Sequence, residues 1–219
     1  MGSRRLLVFD CDGVLVDSEI LVVGVEVELL GEAGFVLTPE EMVARYVGLS
    51  GSTMKDRLES DFDRTLPEGL FDRIQVEAVS RFAEQLRPVA GMAAVLAGLG
   101  DARCVASSSD PERIALSLKV TGLDSYFDGA NVFSASMVNR GKPAPDLFLH
   151  AAASMGIEPG RCLVVEDSPH GVAAAVAAGM DVIGFTGGGH CAPDWADRLH
   201  DAGAAVVVGS AAELGERLA

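Results

Sequence analysis

The hydrophobic positions along the chain change their period twice. Residues 6–9 form a short apolar run that is typical of a buried strand. From residue 17 to residue 88 the pattern is helical, and it predicts helices over residues 18–30, 39–46, 53–62 and 68–85. Beyond Gly91, short apolar runs alternate with helical stretches. This part of the chain predicts strands over residues 103–106, 131–134, 162–165, 181–185 and 205–208.

Strands that alternate with helices predict βαβ units, and hence a parallel sheet covered by helices on both faces. The remaining helices are predicted over residues 110–121, 144–155 and 169–178, with a terminal helix from Ala211. The predicted fold class is therefore α/β, a Rossmann-like doubly wound parallel sheet core with an inserted all-helical cap domain. The predicted core comprises residues 1–16 and 89–219, and the predicted cap comprises residues 17–88.

Two of the predicted strands end in pairs of acidic residues. Asp10 and Asp12 follow the first strand, and Glu166 and Asp167 follow the strand over residues 162–165. Like charges at the end of a buried strand repel each other and lose hydration, so we expect a divalent cation to compensate them. Ligands of open α/β sheets bind just outside the carboxyl ends of the strands, which is where these carboxylates are expected to lie.

Hydroxyl and amine donors are predicted at the same edge of the sheet. Three serines over residues 107–109 precede Pro111 at a helix start, an arrangement suited to phosphate. The alternative interpretation is an ordinary helix cap by Ser109 or Asp110. Lys142 is held between glycine and proline at a second helix entrance, which favours a functional lysine. No GxxxxGK motif precedes Lys142, so the segment is not a nucleotide-binding P-loop.

These segments, in this order, resemble the four signatures of the haloacid dehalogenase-like superfamily of phosphotransferases. The first signature, which Asp10, Asp12, Gly13, Val14 and Asp17 match, is similar to residues 10–17. The second is a Ser or Thr that Ser107 matches. The third is similar to Gly-Lys-Pro-Ala-Pro-Asp over residues 141–146, and the fourth is matched by Glu166 and Asp167. The resemblance covers essentially the whole chain.

The resemblance implies phosphoryl transfer with Mg²⁺ as cofactor. It implies that Asp10 is the nucleophile that forms an aspartyl-phosphate, and that Asp12 is the general acid and base. It further implies that the phosphoryl oxygens are bound by Ser107, Ser108 and Lys142. The implied metal ligands are Asp10, Asp12 through its backbone carbonyl, Asp167 and, largely through water, Glu166.

The predicted cap is similar to that of the β-phosphoglucomutase-like and sugar-phosphate phosphatase branch, which includes 6-phosphogluconate phosphatases. The resemblance places a substrate loop at Gly48, Leu49, Ser50 and Gly51. Mutases carry a histidine and an arginine where this chain has Val22 and Gly51, which favours hydrolysis of a sugar, sugar-acid or polyol phosphate. A sugar phosphomutase and a non-catalytic metabolite-binding protein stay open as alternatives.

Several charged residues near these segments have no assigned role. Arg45, Lys55 and Arg57 flank the loop and could meet a substrate carboxylate, although solvation is the better interpretation of each. The four histidines stay unassigned. His190 follows three glycines in a loop at the active-site edge of the sheet and could touch a substrate, although a loop histidine is more often merely exposed. His170, close to Asp167 in the sequence, is the histidine to revisit.

The composition narrows the classes of partner. The net charge of −15 argues against nucleic acid and anionic membranes, because both reward clustered Lys and Arg. No apolar stretch approaches the ~20 residues that a membrane span needs, and no leader is recognised, so we expect a cytoplasmic protein. We expect a small-molecule phosphorylated substrate and a monomer or weak dimer. The four scattered cysteines are expected to be buried free thiols.

Overall fold

The computed structural model of the chain describes residues 5–47, 51–100 and 102–219, and only the backbone of residues 51 and 52. Six parallel strands form one sheet in the order β3-β2-β1-β4-β5-β6. The strands are β1 (Leu6–Phe9), β2 (Ala102–Ser107), β3 (Val132–Ser134), β4 (Cys162–Glu166), β5 (Asp181–Phe185) and β6 (Val206–Val208). The predicted fold class is confirmed.

Ten α-helices accompany the sheet in the described part of the chain. They are α1 (Ser18–Glu32), α2 (Pro39–Arg45), α3 (Gly51–Phe62), α4 (Leu70–Gln85), α5 (Met92–Gly98), α6 (Pro111–Val120), α7 (Asp146–Ser154), α8 (Pro169–Ala177), α9 (Trp195–Asp201) and α10 (Ala211–Leu218). The sequence pattern missed α5 and α9. Each has seven residues and buries only two of them, four positions apart, which is too short a pattern to establish a helical period.

The first strand lies in the middle of the sheet, between β2 and β4. Phe9 is in register with Val105 of β2 and with Val165 of β4, so the chain leaves all three strands at the same edge. All four residues of β1 are buried, as expected for a parallel strand that has helices on both faces. This register brings the segments that follow β1, β2 and β4 together.

Helices α1 to α4 lie between β1 and α5 and enclose a hydrophobic cluster of their own, which includes Val22, Leu30, Tyr46 and Ile74. The chain enters and leaves this layer side by side. The amide of Asp17 donates to the carbonyl of Arg87 at 3.0 Å, and the amide of Val89 donates to the carbonyl of Leu15 at 3.0 Å. The boundaries of the cap at residues 17 and 88 stay a prediction.

Helix α2 begins as its sequence indicates. The Thr38 side chain accepts a hydrogen bond from the amide of Glu41, and the Glu41 side chain accepts one from the amide of Thr38. This reciprocal capping box satisfies two backbone donors that have no partner inside the helix. The predicted substrate loop follows α2, and its residues 48–50 lie outside the described residues.

Glu26 is a buried carboxyl group within α1, only 6% exposed. Burial, together with the like charge of Glu19, raises the pKa of Glu26 to about 8. Because the folded state then binds this proton more tightly than the unfolded chain, its contribution to the free energy of unfolding is lost as the pH rises from about 4.5 to about 8.

We therefore expect Glu26→Gln to raise the free energy of unfolding at pH 8.5 by roughly 1–3 kcal/mol. The midpoint of thermal unfolding should rise with it. This gain should disappear near pH 4.5, where Glu26 is protonated in the folded protein and is as neutral as the glutamine that replaces it. Circular dichroism melts of both proteins at the two pH values measure this difference. Glu28→Gln is the matched control on the exposed side of α1. A pH-independent difference for Glu26→Gln would contradict the assignment.

Two predictions from composition can be compared with the structure. Cys11, Cys104 and Cys162 are buried free thiols, as expected, whereas the free thiol Cys191 is only partly buried. Within the described ranges, no helix combines the length and the apolar character that crossing a membrane requires.

Candidate active site

A cavity of about 430 Å³ opens at the carboxyl ends of β1, β2 and β4. The predicted site residues outside the substrate loop all line it: Asp10, Asp12, Ser107, Ser108, Lys142, Glu166 and Asp167. These side chains come from four separate segments, and the strand register explains why they meet. Their chemical roles stay predictions. Ser109 and His190, which the sequence places at this edge of the sheet, line the cavity as well. Glu19, Val47, Arg113 and Trp195 also line it and were not predicted there.

Lys142 is the buried centre of an ion-pair network. Its Nζ lies 2.6 Å from Oδ1 of Asp10 and 2.5 Å from Oε1 of Glu166, and it donates to the carbonyl of Ala106 at 3.0 Å. The side chain is only 5% exposed. Burial lowers the pKa of Lys142, but the carboxylates of Asp10 and Glu166 outweigh burial and raise it above the ordinary value. Lys142 therefore stays positively charged, and its ammonium group has three partners: Asp10, Glu166 and the carbonyl of Ala106.

Both carboxylate oxygens of Glu166 accept hydrogen bonds from protein donors. While Oε1 pairs with Lys142, Oε2 accepts hydrogen bonds from the amide and hydroxyl of Ser168, at 2.9 and 3.0 Å. A Cβ added at Gly171 would lie 1.8 Å from Oε1, so the glycine makes room for this carboxylate. The visible role of Glu166 is to hold Lys142, and its water-mediated contact with a metal stays a prediction.

Asp12 is held by three donors from different elements. The hydroxyl of Ser18 donates to Oδ1 at 2.5 Å, the hydroxyl of Ser109 donates to Oδ2 at 2.6 Å, and Nη2 of Arg113 lies 3.0 Å from Oδ1. Burial raises the pKa of Asp12, but Arg113 and the two hydroxyl donors outweigh burial and lower it. Asp12 is therefore a carboxylate in this arrangement.

Arg113 connects Asp12 to the helical layer. It comes from the first turn of α6, donates to the side chain of Gln75 at 3.2 Å, and stacks over the ring of Phe82 with 5.2 Å between Cζ and the ring centroid. Both contacts are with α4. The sequence analysis missed this arginine, because an arginine near a helix start gives no local sign of a carboxylate far away in the sequence.

The serines over residues 107–109 line the cavity and do not cap helix α6. Asp110 is the residue before α6, but its side chain makes no capping hydrogen bond, and the hydroxyl of Ser109 bonds Asp12 instead. Ser107 is buried, and its Oγ accepts a hydrogen bond from the amide of Ser109 at 3.0 Å. Ser108 is exposed at the cavity wall. The ordinary helix cap therefore does not account for the side chains of this segment.

Asp167 is positioned by His190 and Trp195. Nε2 of His190 lies 3.1 Å from Oδ2 of Asp167, and Nε1 of Trp195 donates to the backbone carbonyl of Asp167 at 2.6 Å. A Cβ added at Gly13, where φ is +81°, would lie 1.8 Å from the same Oδ2, so only glycine leaves space there. Asp167 is thus tightly enclosed.

His190 lines the cavity and is not an exposed loop residue. The side chain is buried, because the glycine-rich loop after β5 folds back over the end of β4 and directs the ring to Asp167. Burial lowers the pKa of His190, but the hydrogen bond to Asp167 and the charge of Asp167 outweigh burial and raise it to about 11. His170 is exposed in the first turn of α8 and does not line the cavity. A histidine after three glycines carries no periodic signal that could have revealed the contact.

The acidic groups around Asp10 favour the binding of a cation. Burial raises the pKa of Asp10 well above its ordinary value, and the carboxylates of Glu166 and Asp167 raise it further, against the lowering effect of Lys142. In the described ranges, no three His, Cys, Asp or Glu side chains form a cage that could hold a metal by itself. Mg²⁺ is commonly held by only one or two carboxylates, with water and a substrate phosphate as the other ligands. Asp10 and Asp167 both line the cavity, and their roles as metal ligands stay a prediction.

The family model described as haloacid dehalogenase-like hydrolase matches residues 7–185, which include all four segments of the cavity. The chain belongs to the haloacid dehalogenase-like hydrolase family. The resemblance predicted from the four signatures is therefore confirmed.

Within this family, two curated proteins of Escherichia coli K12 are similar over most of their length. The chain is 31% identical to a 6-phosphogluconate phosphatase over 194 residues, which covers 88% of this chain and 87% of the relative. It is 33% identical to a fructose-1-phosphate phosphatase over 186 residues, which covers 81% of this chain and 94% of the relative.

Two solved structures share the haloacid dehalogenase-like fold at higher identity. A conserved protein of unknown function from Agrobacterium tumefaciens has a TM-score of 0.93 and 41% identity, and the match covers 99% of this chain and 98% of that chain. A family hydrolase from Deinococcus radiodurans, solved with bound phosphate and sodium, has a TM-score of 0.84 and 34% identity. That match covers 98% of this chain and 94% of the other.

Proposed function

We propose that this phosphoric monoester hydrolase is a Mg²⁺-dependent phosphatase of a small phosphorylated metabolite, a sugar, sugar-acid or polyol phosphate, that works through an aspartyl-phosphate. The observation that carries the proposal is the meeting of Asp10, Asp167 and Lys142 in one cavity at the ends of adjacent strands. The names of the phosphatase relatives support the substrate class.

Asp10 is the proposed nucleophile. Lys142 holds Oδ1 of Asp10, so we assign attack on phosphorus to Oδ2. Lys142, with Ser107 and Ser108, would stabilise the negative charge that spreads over the equatorial phosphoryl oxygens. Mg²⁺, when bound by Asp10, Asp167 and the carbonyl of Asp12, would neutralise the charge of the phosphate and of the nucleophile.

Asp12 is the proposed general acid and base. Its present carboxylate form suits it to take a proton from the water that hydrolyses the aspartyl-phosphate. To give a proton to the leaving oxygen in the first step, Asp12 must first take one up, for which a substrate that binds as the phosphate monoanion is the proposed source. Asp12 must also give up part of its bonding to Arg113, Ser18 and Ser109. Substrate binding therefore has to rearrange this network.

The protein lacks the two polar side chains that the alternative function, a sugar phosphomutase, would need. Val22, at the position of the mutase histidine, is buried in the hydrophobic cluster of the helical layer. Gly51, at the position of the mutase arginine, has no side chain. A non-catalytic binding protein is disfavoured because no proposed nucleophile, acid or metal ligand is missing. Arg45 and Arg57 both pair with Asp61, at 2.6 and 3.8 Å, which agrees with their interpretation as surface residues.

The first experiment measures inorganic phosphate released from sugar, sugar-acid and polyol phosphates with Mg²⁺ and with a chelator. We expect release to fall to background in the chelator, because the carboxylates alone cannot neutralise the phosphate. Conversion of a sugar phosphate to an isomer without phosphate release would favour the mutase. Absence of both reactions would favour the binding protein.

Metal binding can be measured apart from turnover. Trp195 is the only tryptophan of the chain and donates to the backbone of Asp167, so its fluorescence should change on titration with Mg²⁺. Asp167→Asn should weaken this binding by about tenfold or more, whereas Asp181→Asn, at the exposed start of β5, should not change it. Equal binding by both variants would remove Asp167 from the proposed metal site.

A further inference from the structure

The segment that follows β5, residues 186–195, contacts Asp167 at two points. Nε2 of His190 lies 3.1 Å from Oδ2 of the Asp167 carboxylate, and Nε1 of Trp195 donates to the backbone carbonyl of Asp167 at 2.6 Å. The rings of His190 and Trp195 also contact each other edge to face, with 5.7 Å between their centroids. The segment therefore holds both the backbone and the side chain of Asp167.

The His190 ring lies in a space that two glycines leave for it. A Cβ added at Gly13 would lie 2.7 Å from Cε1 of the ring, and a Cβ added at Gly188 would lie 2.9 Å from Nδ1, both closer than real Cβ atoms approach their neighbours. The loop is also tied to the segment after β1, because the amide of Gly189 donates to Oδ1 of Asp17 at 2.9 Å. The position of the ring is therefore set by the backbone on both sides.

A histidine at this buried position needs a reason. The side chain is only 3% exposed, and its Nδ1 has no hydrogen-bond partner among the described residues. A buried polar atom without a partner destabilises the folded state, and leucine would fill the same space without that cost. The polar contacts of the ring are both at Nε2, with Asp167 and, at 3.6 Å, with Sγ of Cys191. The contact with Asp167 is therefore what the imidazole adds.

The two carboxylate oxygens of Asp167 have different surroundings. Oδ2 is the oxygen next to His190 and close to Gly13. Oδ1 accepts no hydrogen bond from the part of the chain that the structure describes. Carboxylates that bind a metal are commonly also hydrogen-bonded to the protein, which orients them. This division of contacts leaves Oδ1 as the oxygen for a cation.

We propose that His190 is a positioning residue for the metal site: it holds Oδ2 of Asp167 and so orients Oδ1 to bind Mg²⁺. The inference rests on the proposed Mg²⁺-dependent phosphatase function and adds to it a residue that acts through Asp167. Hydrogen-bond partners of metal ligands commonly contribute about 10–100-fold to metal affinity. The effect of His190 is therefore expected in metal binding and not in the chemical step.

The test measures binding of Mn²⁺, which prefers the same oxygen ligands as Mg²⁺, through the electron paramagnetic resonance signal of the free ion. His190→Leu should weaken binding by about 10–100-fold. His190→Gln should recover most of the affinity, because its amide nitrogen can replace Nε2 as the donor to Asp167. His170→Leu, at an exposed position in α8, is the matched control and should bind Mn²⁺ as the wild-type protein does.

Hydrolysis of p-nitrophenyl phosphate gives a second readout. His190→Leu should need about 10–100-fold more Mg²⁺ for half of its maximal rate, while kcat at saturating Mg²⁺ should stay within severalfold of wild type. A general loss of structure would instead lower kcat at every Mg²⁺ concentration. Circular dichroism melts check that the variants fold. His190→Asn, whose amide is too short to replace Nε2, takes the place of His190→Leu if the leucine variant does not fold.

The outcomes separate the role of His190 from the function on which it rests. Wild-type affinity of His190→Leu for Mn²⁺, or equal losses in His190→Leu and His190→Gln, would overturn the role of His190 and leave the phosphatase standing. Tighter binding by His190→Leu would overturn it as well, because His190 would then compete with the cation for Asp167. If the wild-type protein neither bound Mn²⁺ nor hydrolysed p-nitrophenyl phosphate, the proposed phosphatase function itself would be overturned.

Discussion

Replacing Asp10 with asparagine is expected to lower kcat for phosphate release by at least about 10⁴-fold while the protein stays folded. Asparagine has the same shape as aspartate, but its amide cannot attack phosphorus. It can still accept a hydrogen bond from Lys142, which in the wild-type protein lies 2.6 Å from Oδ1. Because Lys142 keeps the Glu166 carboxylate as a charged partner, the variant should stay folded, and the loss should appear mainly in the chemistry.

Two measurements check the role of Asp10. Steady-state release of phosphate gives the loss in kcat, with Asp181→Asn as a matched control at the opposite, amino-terminal edge of the sheet. Mass spectrometry of acid-quenched reactions should find a phosphorylated wild-type protein and no phosphorylated Asp10→Asn protein. Turnover by the variant within about tenfold of wild type would assign the nucleophile to another residue.

Replacing Lys142 with methionine is expected to have the largest effect on stability. The substitution keeps a long side chain but leaves the carboxylates of Asp10 and Glu166 buried without their shared cation. Removal of one partner from a buried ion pair costs about 3–5 kcal/mol of unfolding free energy, because an uncompensated charge stays in the interior. The same variant should lose about 10²–10³-fold in kcat, because the positive charge proposed to stabilise the nucleophile and the phosphoryl group is gone.

Urea unfolding in the presence of a chelator measures the stability loss. Lys119→Met, on the exposed side of α6, is the matched control and should leave the midpoint nearly unchanged. The double variant Lys142→Met with Glu166→Gln should be less destabilised than the sum of the single variants, because the second change removes the unpaired charge. Additive losses would show that the two side chains do not stabilise each other.

The fold followed closely from local patterns. β1 and β5 have the predicted bounds, and the other strands differ by one residue at one or both ends. Apolar runs of four to five residues that end abruptly in polar side chains are local signals, so each strand could be located without its neighbours. Short helices such as α5 and α9 could not, since two buried positions do not define a period.

The candidate site was only partly predictable. Asp10, Asp12, Ser107, Lys142 and Asp167 all follow a strand or precede a helix, and in a parallel sheet such positions meet at one edge. Their convergence could therefore be predicted from strand order along the chain, whereas their roles as nucleophile, acid and ligands await the experiments above.

The sequence by itself determined the sheet, the helical segment after its first strand and the set of polar groups at its carboxyl edge, because those features depend on periodicity and on the residue after each strand. Only the tertiary structure decided how these groups are paired. Arg113 reaches Asp12 across 101 residues of sequence, and His190 turns from a glycine-rich loop to Asp167. Such contacts depend on packing between distant segments.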